Sequence, residues 1–304
     1  MGFPIGGKWL EGRWLHRIIS VLAALLAAAL LPACSVMKIA YNQAPDLAYW
    51  QLDSYLDLSS EQSLQTKARL RQLHAWHRTT QLPAYAALLQ RLQSQLPFDT
   101  TPAQVCSVAA EVRDKFTVIL RQAEPTVAAL GRQLEEPQRK RLAKKMAKNN
   151  AEETSERAGE SEKARNDKRF ELALERAERL YGPLGAAQQL VLSRRLDLSR
   201  PDELLQASEK QRRQRDLLAT IQPMAASQTS LDEALVAVHG WVERSLQSPD
   251  PAYRAYVLQL TQDSCHTIAE LHNSTTAVQR SRAAQTLRRY GDDLQALIAT
   301  PGSN

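Results

Sequence analysis

Apolar residues recur every three to four positions over most of the chain, and no stretch alternates with a period of two. That pattern predicts amphipathic helices and no strand. One helix is expected over Asp46–Leu56, rich in aromatic residues. Ser59-Ser60-Glu61-Gln62 then reads as a capping box, in which the Ser59 hydroxyl accepts from the Gln62 amide and the Gln62 side chain reaches back. Leu64, Leu70, Leu73, Trp76 and His77 continue a helical stripe, which Pro83 should kink or break by removing a backbone donor. Ala84–Leu96 resumes it.

Pro97-Phe98-Asp99-Thr100-Thr101-Pro102 is a break, with Thr101 as N-cap and Pro102 at the first helical position. The helix that follows carries Val105, Val108, Ala109, Val112, Phe116, Ile119 and Leu120 on one face, with Pro125 and Gly131 as weak points. Residues 135–181 differ in kind: 24 of 47 are Asp, Glu, Lys or Arg. A helix polar all round bridges, is laced by ion pairs or is only partly stable. Read as one element it would run about 70 Å, with Gly159 its weakest point and Gly182-Pro183 its end. Beyond it, helices are expected over Leu184–Arg195, Pro201–Thr220 with Ser199 as N-cap, from the capping box at Ser230, from Asp250-Pro251 to Leu271, and from Thr276 to Ala299. The predicted class is all-α: a multi-helix bundle with a long charged central helix, divided into regions 34–134, 135–181 and 182–304.

Composition agrees. With 43% hydrophobic and 24% charged residues over 304 positions, the chain is neither wholly disordered nor collagen-like. Only 11 glycines argue against a β-rich or dinucleotide-binding fold. A mean hydropathy of −0.41 excludes a polytopic membrane protein.

The first 33 residues read as an address. Lys8, Arg13 and Arg17 precede a 14-residue uncharged run, Ile18–Leu31, that is short for a bilayer span. Leu31-Pro32-Ala33-Cys34 follows and resembles a bacterial lipobox. The resemblance implies diacylglycerol transfer to the Cys34 thiol, cleavage before it, and acylation of the new amine. More than one chain makes a stable anchor. Ser35 in place of Asp favours the outer membrane, with the body facing the periplasm. In that oxidising compartment Cys106 and Cys265 are expected to form a disulfide, with two unpaired buried thiols as the other reading.

Three copies of Leu-x-x-x-Gln stand at predicted helix starts: Leu58–Gln62, Leu134–Gln138 and Leu184–Gln188. They are similar to the Leu-Thr-x-x-Gln motif of periplasmic chaperones of the Spy and CpxP type, and also to ordinary capping with Gln at N3. A broader resemblance rests on Cys34-Ser-Val-Met-Lys-Ile-Ala-Tyr-Asn42, Tyr49-Trp50-Gln-Leu-Asp53, Tyr55-Leu-Asp-Leu58, Trp76-His77-Arg78 and Gln81-Leu-Pro-Ala-Tyr85. These resemble a proteobacterial lipoprotein family known only as a domain of unknown function, which implies lipidation and an all-helical body and carries over no catalytic residue.

Candidate chemistry is sparse. His74 and His77 share a helix face but are two ligands short of a zinc shell. Asp53 and Asp57 lie one turn apart. No nucleophile elbow, phosphate loop or His-Glu-x-x-His sequence occurs. No cofactor and no catalysis are expected. Arg139, Lys140, Arg141, Lys144, Lys145 and Lys148 put six positive charges in ten residues. They read either as a patch for an anionic lipid or envelope protein, not nucleic acid, or as a solvated face paired internally. The expected function is a lipid-anchored, non-enzymatic binding or chaperone-like envelope factor. Metal or enzymatic chemistry around His74 and His77, or a structural spacer, are the alternatives.

Overall fold

The computed structural model describes residues 33–224 and 229–300. The chain divides into two units, residues 1–43 and 44–304. In the first, Ala33–Asn42 form helix α1. The leader over residues 1–32 and the Cys34 side chain lie outside the described part.

Every regular element among the second unit's described residues is a helix. Its elements are α2 Ala44–Leu56, α3 Ser60–Trp76, a π-helical turn His77–Gln81, α4 Leu82–Gln95, α5 Pro102–Gln133 and α6 Glu136–Gly159. There follow α7 Glu162–Tyr181, α8 Ala186–Leu198, α9 Glu203–Met224, α10 Leu231–Leu246, α11 Pro251–Asn273 and α12 Ala277–Ala299. The all-α class is as expected.

Most predicted starts hold because local capping chemistry makes them. Ser59, Thr101, Ser230 and Thr276 each accept from the backbone three residues on, satisfying orphan amides of the first turn. One start differs. Ser199 closes α8, and the Asp202 carboxylate, not Ser199, accepts from Leu205 at the head of α9.

The long charged helix is two helices. Glu160 is extended (φ −96°, ψ 132°) after Gly159, and the Ser161 hydroxyl accepts from Ala164 to start α7. A glycine, the weakest helix former after proline, followed by the Ser161 N-cap, makes ending the helix cheaper than continuing it. The break turns α7 back so that it packs on α8 and α12.

At Pro83 the chain neither kinks into a loop nor ends. The five-residue π turn immediately before it ends at Gln81, and Pro83 occupies the first turn of α4, where a missing N–H costs little. Arg78 in this turn is buried and donates to the carbonyls of Leu297 and Thr300 at the C-terminus of α12, a favourable place for a cation.

The cores are two. Leu56, Ala128, Leu134, Leu142, Ile221 and Val238 anchor one. Tyr181, Leu184, Leu192, Leu271 and Ala283 anchor the other. On α3 the predicted stripe misses the buried side at Leu64, which is 73% exposed, while Leu70, Leu73, Trp76 and His77 are half-buried and Gln62 and Thr66 are buried. The reason is the glutamine chemistry described next.

Candidate functional site

The Leu-x-x-x-Gln segments meet in pairs. Gln62 and Gln138 exchange amide hydrogen bonds: Gln138 Nε2 donates to Gln62 Oε1 (2.7 Å) and Gln62 Nε2 to Gln138 Oε1 (3.2 Å). Each oxygen also accepts from its own N-cap backbone, Ser59 N (3.0 Å) and Glu135 N (2.9 Å). Each nitrogen also donates to a carbonyl at the end of the partner's preceding helix, Gln62 to Gln133 (2.7 Å) and Gln138 to Asp57 (3.1 Å). Both side-chain amides are fully used, each oxygen accepting twice and each nitrogen donating twice, which burial demands.

The same arrangement recurs with Gln188 and Gln279. They exchange bonds of 2.7 and 3.0 Å, cap Gly185 N and Thr276 N, and donate to the carbonyls of Ser274 and Pro183. In every case the acceptor carbonyl belongs to the residue five before a clasp glutamine. The two clasps tie the α2–α3 hairpin to α5–α6 and the α7–α8 hairpin to α11–α12. Gln279 escapes the Leu-x-x-x-Gln pattern because Thr275, also buried, stands where the others carry Leu. Its signal was Thr276 at an N-cap three residues before a glutamine.

Of the basic cluster, Lys140 pairs with Glu136 (2.5 Å), Arg141 with Asp57 (3.3 Å) and Lys148 with Glu152 (3.6 Å). The Arg139 guanidinium donates to the Leu134 carbonyl, and Lys145 stands over the Tyr55 ring, 6.0 Å from its centre. Lys140, Arg141 and Lys144 line an open 590 Å³ recess beside the first clasp, together with Asp57. Carboxylates are thus interleaved with the six cations.

Cys106 and Cys265 are joined in a disulfide, their Cα atoms 5.4 Å apart, which ties α5 to α11. His77 packs on Tyr85, ring centres 5.6 Å apart, with 3.4 Å between Nε2 and the phenol oxygen. Burial, and then the neighbouring His74, hold the His77 pKa below the ordinary imidazole value. Among the described residues no group of three or more His, Cys, Asp or Glu comes close enough to hold a metal ion. Asp53 accepts from Leu58 N (2.9 Å) where α2 ends, a capping role for one of the two carboxylates considered from sequence.

The richest concave surface lies elsewhere, between α6, α9, α10 and α11. It encloses about 470 Å³, within the range typical of ligand sites. Its apolar floor includes Met146, Leu217, Trp241, Tyr253 and Tyr256. Polar groups converge on it. Glu209 is buried and accepts from Arg212 (2.7 and 2.9 Å), Arg213 (2.7 Å) and Ser248 (3.0 Å). Burial pushes its pKa up, but the hydrogen bonds from Arg212, Arg213 and Ser248 outweigh that and hold it at about 2. Arg213 lies over the Tyr253 ring, 5.5 Å from its centre, and Glu153 serves both Arg157 and Lys210. Five charged side chains line the groove, three basic and two acidic. The buried indole N–H of Trp241 has no hydrogen-bond partner, nor does the buried Ser245 hydroxyl one turn on. None of these groove residues stood out in the sequence, since they come from four helices and share no motif.

The fold defines a class: an all-helical protein of helical hairpins stitched by paired glutamines. Residues 54–239 match the profile of a family described as a family of unknown function, DUF6279, and the chain belongs to it. No curated protein and no solved structure matches the chain.

Proposed function

We propose that this protein is a lipoprotein of the bacterial outer membrane, anchored through Cys34 with its helical body facing the periplasm. It holds another envelope component without catalysing a reaction on it, as a chaperone or a dedicated binding factor. The observation that carries the binding role is the groove between α6, α9, α10 and α11. Aromatic side chains supply contact area at low entropic cost. The net positive lining suits an acidic segment of a polypeptide. The anchoring role rests on Lys8, Arg13 and Arg17, the apolar run and Leu31-Pro32-Ala33-Cys34.

The test is in-cell photocrosslinking from position 253 or 210, with mass spectrometry of the captured species and Cys34→Ser as the anchoring control. The expected result is acyl labelling and membrane fractionation that Cys34→Ser abolishes, together with capture of envelope polypeptides from both groove positions. An unacylated wild-type chain would overturn the anchoring half. Capture at the same level from an exposed position outside the groove would overturn the binding half.

A further inference from the structure

The sequence pattern places Val112, Phe116 and Ile119 on the buried face of α5, yet Val112 is 51% and Phe116 55% exposed. The cause is a gap. Opposite them stand Tyr85, Leu88 and Leu89 of α4, and between the two helices lies a cleft of about 320 Å³ whose lining is almost wholly carbon. α4 and α5 run antiparallel through the 96–101 connection, and the Arg91–Glu111 ion pair crosses between them. Lys115, the remaining lining residue, is 3.5 Å from the same Glu111 carboxylate. Two cations therefore share one anion at the end of the cleft nearer the connection, leaving it one positive charge in excess. The other end is bounded by Tyr85 and Ile119, whose surroundings carry the phenol and imidazole of the Tyr85–His77 contact.

We propose that this cleft binds a free single-chain anionic amphiphile, a fatty acid being the simplest, with its chain between α4 and α5 and its carboxylate at Lys115 and Arg91. Size selects the occupant. About 320 Å³ at roughly 30 Å³ per water-sized group holds about ten methylenes. The run from Val112 to Ile119 spans about 10 Å along α5, comparable with an extended chain of that size. The sign of the head group follows from the excess cation, and the hydrophobic gain from covering two half-exposed side chains. This site is separate from the aromatic groove, and the proposal stands or falls independently of the binding role assigned there.

The experiment uses the full chain in phosphatidylcholine nanodiscs and a dodecanoic acid probe carrying a diazirine and an alkyne. After photolysis, mass spectrometry maps the adducts. They are expected on the segments 85–89 and 112–119 and not at Leu258, an apolar side chain equally exposed on α11 (60%). Unlabelled dodecanoate should abolish them, and dodecyltrimethylammonium should compete at least tenfold less well. Phe116→Asp and the cleft-filling Val112→Trp should each reduce labelling about tenfold with the circular dichroism spectrum unchanged. Lys115→Gln should erase the preference for the anionic competitor. Adducts spread equally to Leu258, labelling that survives both cleft variants, or equal competition by the cationic amphiphile would overturn the proposal. So would labelling that emerges only in Cys34→Ser, which would mean that the chain's own acyl group fills the cleft.

Discussion

Two buried ionisable side chains set how stability should respond to pH. The Glu209 carboxyl is held at about 2 against an ordinary 4.5. A depressed carboxyl pKa contributes stability that is complete above about 4.5 and lost as pH falls toward 2. Chemical denaturation of the wild type between those values should show a decline that Glu209→Gln flattens, at a cost of about 2–3 kcal/mol near neutrality because Arg212, Arg213 and Ser248 lose a charged acceptor. Tyr181 behaves in the opposite sense. Burial raises its phenol to about 12 from 10, the Arg280 charge opposing only in part. Its contribution is complete below about 10 and falls away by up to about 3 kcal/mol as pH rises toward 12. The phenol is 2.9 Å from His272 Nδ1, so Tyr181→Phe should remove the alkaline loss while costing about 1 kcal/mol at neutral pH for that hydrogen bond.

Between elements, the glutamine clasps are the joints. Replacing Gln138 with Leu strips Gln62 of its partner and leaves the Glu135 amide and the Asp57 carbonyl unpaired. The expected cost is about 2–4 kcal/mol in urea unfolding. Gln62→Leu with Gln138→Leu should cost clearly less than the sum of the two single changes, since each single change already breaks the shared bonds. A strictly additive double mutant would count against the clasp. The glutamines were visible in the sequence as cap residues, because the capping box is local. Their pairing was not, because it joins residues 76 and 91 positions apart. The same blindness explains Leu64: periodicity assigned the apolar side chain to the core, but the clasp turns the Gln62 and Thr66 side of α3 inward. At 159–161 the weak glycine was legible, but the end of the helix was not read, because the Ser161 N-cap was passed over and the packing of α7 on α8 and α12 that adds to it joins distant segments. Gly159→Ala, with open space around it, should be tolerated, changing stability by no more than about 1 kcal/mol.

For the molecule as a whole, the disulfide is a covalent tie between distant helices. It links α5 to α11 across 159 residues, and the chain-entropy treatment gives an upper figure of about 5 kcal/mol for such a crosslink. Reduction, or Cys106→Ser, should lower the thermal midpoint by several degrees, measured by circular dichroism with and without reductant. No change would mean that the helices on either side hold α5 and α11 without it. Read from residue order alone, the chain yields its helical class and most of its helix starts. Each of these depends on spacing within one or two turns, where backbone geometry and capping act over a few ångströms. Which cysteines bond could be argued from number and compartment. The pairing of the glutamines, the assembly of Trp241, Tyr253, Tyr256 and Glu209 around one groove, and the opening of the Val112–Ile119 stripe could not. They depend on contacts among helices distant in the chain, and it is the packing of those helices that settles which side chains are covered, which are paired and which are left facing a gap.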